Sequence, residues 1–171
     1  MKYVLLLILS CFIFSDVLAK DISILNPCTN ANIPLNKALS DKSILINKEV
    51  SSNNEKMFLI SYLDNNGSIC YDKKYDILFK VKNQYIYNDK LFNELEDVYP
   101  DIGIINNTFF IEFEYGNGQS NIEKYYLDVD FDSIFLNKKE IIYSRSGKPK
   151  IVKLKNINIK DIEFYKLINI Y

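Results

Sequence analysis

The stretch Thr108-Phe109-Phe110-Ile111-Glu112-Phe113-Glu114-Tyr115 sets Phe109, Ile111, Phe113 and Tyr115 on one parity and Phe110, Glu112 and Glu114 on the other. Side chains alternate with a period of two only in an extended chain, so this is a strand with one face buried. Gly116-Asn117-Gly118-Gln119 reads as a flexible turn. The chain then alternates again, with Tyr125, Leu127, Val129 and Phe131 against Lys124, Tyr126, Asp128, Asp130 and Asp132. A slip of one residue would turn every apolar side chain to water, so the register follows from matching the faces. Ile111 opposite Tyr125 and Phe109 opposite Leu127 achieves this, leaves a loop over residues 116–120, and sets Glu112 against Lys124 as a cross-strand charge pair.

Working outward, residues 56–63 form an apolar, β-prone run, and Asp64-Asn65-Asn66-Gly67 supplies turn chemistry before residues 68–71, which predicts a hairpin. Residues 75–81, 84–87, 133–137 and 140–145 read as further strands. Within residues 150–160 the apolar parity switches between Leu154 and Ile157, which places a bulge or bend near Lys155 and Asn156. Residues 26–40 read as coil with one short helical turn at Pro34. One packed helix is expected over residues 89–99, where Leu91, Phe92, Leu95, Val98 and Tyr99 fall on one face, Asn88 or Asp89 caps, and Pro100 terminates. The aromatic and aliphatic residues 161–171 are expected to be tied into the fold. The fold class expected is α+β and strand-dominated: one antiparallel β-sheet of about seven to nine strands with that helix packed on it.

Lys2, the apolar residues 4–14 and Asp16-Val17-Leu18-Ala19 follow the charge, apolar and small-residue order of a signal peptide over residues 1–19, cut after Ala19. The apolar run is much shorter than the roughly 20 residues of a bilayer span, so no membrane span is expected after cleavage. Residues 20–171 then form a single globular β-rich domain that is exported, periplasmic or secreted. Two cysteines remain, Cys28 and Cys70, and an oxidising compartment most simply joins them in a disulfide bond. With 48% hydrophobic and 25% charged residues, the chain is an ordinary folded domain. Its 21 basic and 22 acidic residues leave a net charge of -1, without the basic surplus that phosphate neutralisation requires, so nucleic acid is not an expected partner.

The chain contains no His, which removes the imidazole general bases, triads and metal ligands of many small enzymes. No glycine-rich phosphate loop and no Cys-x-x-Cys occurs, so neither catalysis nor a cofactor is expected. Asp128-Val129-Asp130-Phe131-Asp132-Ser133 has the spacing of the first ligands of a calcium loop, but Ser133 stands where that loop needs Gly and Lys139 where it needs Glu. Val129 and Phe131 suit a strand, so no metal site is expected.

The same residues do suggest a surface. Asp128, Asp130 and Asp132, with Glu112 and Glu114 on the neighbouring strand, concentrate negative charge on one face, a pattern that steers a basic partner. Tyr126 shares their parity, and Tyr62, Tyr85, Tyr87 and Tyr143 lie in strands whose outer faces can serve recognition. In general character, with its short signal peptide, one cysteine pair and Tyr- and Asn-rich sheet, the chain looks like small periplasmic immunity or inhibitor proteins. That resemblance implies protein binding, by occluding a toxin or hydrolase with a basic surface, and it transfers no residue roles. The competing expectation is a β-rich envelope or carrier protein holding a small apolar ligand or glycan.

Overall fold

The computed structural model describes residues 22–26, 28, 31–70, 75–95, 98–116, 121–143, 145 and 147–168; the expected signal segment lies outside them. Short β1 (Ser23–Asn26) and β2 (Ala31–Pro34) pair and lead into α1 (Leu35–Ser40). A four-stranded antiparallel meander follows: β3 (Ile44–Ser52), β4 (Glu55–Tyr62), β5 (Asp76–Val81) and β6 (Gln84–Tyr87). A second meander has five strands: β7 (Tyr99–Ile105), β8 (Thr108–Tyr115), β9 (Asn121–Asp130), β10 (Ser133–Ile142) and β11 (Pro149–Asn158). β3 runs beside β7, where Lys48 Nζ meets Asp101 at 2.8 Å.

The inner faces of the two meanders share one core. Met57, Leu59, Ile77 and Phe79 from the four-stranded sheet join Ile102, Phe109, Ile111, Phe113, Tyr125, Leu127 and Ile134 from the other. The outer face of the four-stranded sheet is covered as well, because Ile24, Leu35 and Ala38 pack on Phe58, Ile60, Tyr62 and Leu78. β4 is thus buried on both faces, and its unbroken run Met57-Phe58-Leu59-Ile60 is the pattern such a strand requires. The Cys28–Cys70 disulfide joins the β1–β2 connection to the segment that follows β4, with the two Cα atoms 5.7 Å apart.

The strand-dominated antiparallel fold is as expected, and so is the β8–β9 register: Phe109 faces Leu127, Ile111 faces Tyr125 and Glu112 faces Lys124. The expected phase change in β11 is also present. Leu136 pairs Ile157 while Lys138 pairs Lys153, and Asn156 takes a φ of 30°. The hairpin expected after residue 63 reduces to a single bridge between Leu63 and Ile69, around a turn in which Asp64 Oδ1 accepts the N–H groups of Asn66 and Ser68.

Four expectations need correction. Among the described residues the strands number eleven, in three sheets, β2 occupies part of the expected coil, and residues 133–142 form one strand because a bulge at Asn137 keeps the ladder continuous. Among the described residues the one α-helix is α1, following Pro34, and the described part of residues 89–99 does not form the expected helix. Residues 89–94 are consecutive turns, and Tyr99 and Pro100 already belong to β7. The reason lies in hydrogen bonding: the Leu91 carbonyl accepts from Phe164 N–H at 3.0 Å instead of from a helical neighbour, and Glu94 has a φ of 61°. Asn88 completes the diversion, its amide donating to the Ile159 and Ile162 carbonyls. The apolar stripe still serves burial, with Leu91 inside the shared core. The tail is tied in as expected as far as residue 168, through two 3-10 turns, Ile159–Asp161 and Phe164–Lys166, that carry Phe164 against Phe113 and Tyr125; residues 169–171 lie outside the described residues.

Candidate functional site

The acidic residues singled out in the sequence do not form one row. Glu112 is held by Lys124 at 2.9 Å, and the same Lys124 lies over the Phe110 ring. Asp128 accepts from the Asn137 amide, which the β10 bulge turns outward. Glu114 is exposed on β8, paired across to Tyr99 and Ile122. Asp130 ends β9, and Asp132 belongs to the turn that follows. Tyr126 is not an open recognition residue: it is 8% exposed, under Lys138 Nζ at 3.6 Å from its ring, with its hydroxyl donating to Glu140 at 2.5 Å. Burial first, then that hydrogen bond and the charges of Glu140 and Glu112, push its phenol up to about 12. Gly103 makes room for this outer cluster, since a Cβ there would fall 2.2 Å from the Phe110 ring.

Tyr62 is also internal. Its hydroxyl lies 2.5 Å from that of Tyr87, and both donate to the buried Asp76, so burial and the nearby carboxylate raise both phenols. A second polar network lies in the main core, where Glu123 accepts from Tyr115 at 2.7 Å and Tyr125 at 2.5 Å and pairs with Lys139 at 2.8 Å. Lys139 also donates to the Leu167 carbonyl at 2.5 Å, fastening the tail. The Tyr115 and Tyr125 phenols are raised by burial and by Glu123. Each network is built around a carboxylate with donors on its oxygens, which is how a buried charge is made tolerable. These groups face inward and hold the layers together.

A further outward feature lies at one end of the molecule. Four two-residue hairpin turns lie there: Asn53-Asn54, Lys82-Asn83, Asn106-Asn107 and Phe131-Asp132. Their first residues all take positive φ, 54°, 54°, 50° and 53° respectively. Asn tolerates this conformation through local side-chain hydrogen bonding, whereas Lys and Phe pay steric strain of about 1 kcal/mol or more. The two exceptions are neighbours, with Lys82 Nζ 5.9 Å from the Phe131 ring centre. Phe131 is 80% exposed, more than any other large hydrophobic residue among those described. Beside it, Asn53, Glu55, Asn107, Thr108 and Asp128 line a shallow depression.

Sequence reasoning named Asp128, Asp130 and Asp132 but placed Phe131 inside, with Val129. The signal available was the break itself: a β-run followed by Asp-Ser on resumption of alternation at Ile134. No protein-family model matches this chain, and no curated protein or solved structure matches it significantly.

Proposed function

We propose that this chain is a non-enzymatic binding protein of the exported inhibitor or immunity type, inserting the β9–β10 tip into the cleft of a toxin or hydrolase. The observation that carries the reading is Phe131: a large apolar side chain, 80% exposed, held at a φ of 53° on a tip. Strain retained at an exposed position points toward use of that position. A protruding aromatic ring is the kind of anchor that dominates interface energies, and Asp128, Asp130 and Asp132 around it suit a cleft with a basic rim. The disulfide suits an oxidising, exported location, whether periplasm or medium.

The carrier reading is less well supported, because the space between the two sheets holds Phe164, Ile162 and Ile168 from the chain's own tail. The test is capture on the mature, oxidised protein from lysates of the producer and of neighbouring species, beside Phe131→Ala and Asp128→Lys/Asp130→Lys columns. Support requires a stoichiometric hydrolase or toxin, inhibited by the wild type and lost from both variant columns. A partner retained equally by the Phe131→Ala column, or no inhibition of it, overturns the reading.

A further inference from the structure

On the far side of the Lys82–Phe131 contact lies a second concavity, of about 490 Å³, lined by Asn53, Asn54, Lys56, Lys80, Lys82 and Asn83. Its lining is three lysines and three asparagines, with no acidic residue among them. Lys56 is positioned by Glu49 at 2.6 Å on the neighbouring strand. Lys80 and Lys82 instead face rings, 5.7 Å from Tyr85 and 5.9 Å from Phe131. Among the described residues, neither has a carboxylate within ion-pair distance. In a chain of net charge -1, a concavity where two lysines stand without a carboxylate partner concentrates positive potential locally and draws anions in.

We propose that this depression binds a small polyanion bearing phosphate or sulfate groups. Lysine ammonium groups supply the charge, and the asparagine amides donate to anion oxygens left unsaturated by the lysines. The proposal is independent of the occlusion reading, because it rests on lysines and amides of the β3–β4 and β5–β6 hairpins and not on Phe131 insertion.

The experiment uses amide NMR titration of the mature, oxidised protein at physiological salt with two probes, inorganic tripolyphosphate and a trisulfated heparin disaccharide. The expected result is saturable shifts centred on Asn53, Asn54, Lys82 and Asn83, with a dissociation constant below about 1 mM for at least one probe. Which probe binds more tightly tells a phosphate ligand from a sulfated saccharide. Lys80→Gln/Lys82→Gln weakens binding at least about tenfold, while Lys150→Gln/Lys153→Gln, at two exposed positions of β11, leaves it unchanged. Retained dispersion in the spectra of both double variants shows that they fold. Absence of saturable shifts with either probe, or an equal loss in both double variants, overturns the proposal.

Discussion

Phe131 and Asn53 occupy equivalent places in their hairpins and share nearly the same φ, 53° and 54°, yet only one has a side chain suited to it. Replacing Phe131 with Asn relieves the strain and removes an exposed apolar surface without touching either core. The expected outcome is a gain of about 1 kcal/mol in urea denaturation, together with loss of partner retention. A loss of stability would mean that the ring packs productively against its neighbours and is no anchor. At this scale the sequence was legible wherever a residue followed the period of two. Asp128 and Asp130 lie on the outer face as read, while Phe131 was misplaced because Phe-Asp lacks the Asn-Gly chemistry by which such a turn is recognised. Tyr126 was read on the correct face but not as buried, since a strand's period reports direction and not what long neighbours such as Lys138 fold over it.

Among the elements, β8 and β9 were legible down to individual pairs because their two faces differ so strongly that one register alone satisfies both. Residues 89–99 were not, because an apolar stripe at helical spacing is also met by successive turns when a distant strand or tail takes the carbonyls, as Phe164 takes that of Leu91. β10 carries a further element-scale consequence. Its bulge at Asn137 shifts the parity so that Lys139 points inward, where its side chain is 7% exposed against a Glu123 that is fully buried. Removing one member of such a pair leaves an uncompensated charge, so Lys139→Met is expected to cost about 3 to 5 kcal/mol. Glu123→Gln added to it should restore a large part of that loss. Urea denaturation of the four proteins in the cycle measures the coupling, and additive losses would mean that Lys139 acts through its Leu167 contact alone.

For the whole molecule, the division into two cores is the property that matters most, and the Cys28–Cys70 bond lies on the side of the smaller one. The larger core lies between the sheets, whereas the smaller one depends on β1, β2 and α1 staying against Phe58, Ile60 and Leu78. A cap of so few residues buries little surface of its own, so its docking leans on the Cys28–Cys70 bond. Loop closure over a sequence separation of 42 residues restricts the unfolded chain by about 4 kcal/mol in the entropy model. Cys28→Ser/Cys70→Ser should therefore lower stability by roughly that amount, but unevenly. Hydrogen exchange is expected to accelerate most in β1, β2 and α1, and least at Ile111, Tyr125 and Leu127, whose strands are held from both sides in the five-stranded sheet. The hairpin tips with Lys82 and Phe131 hang from the larger core, so partner and anion binding should survive removal of the bond. Equal acceleration in both sets of amides would instead mean that the cap and the sheets open as one unit, with the disulfide constraining the whole fold rather than its outer layer.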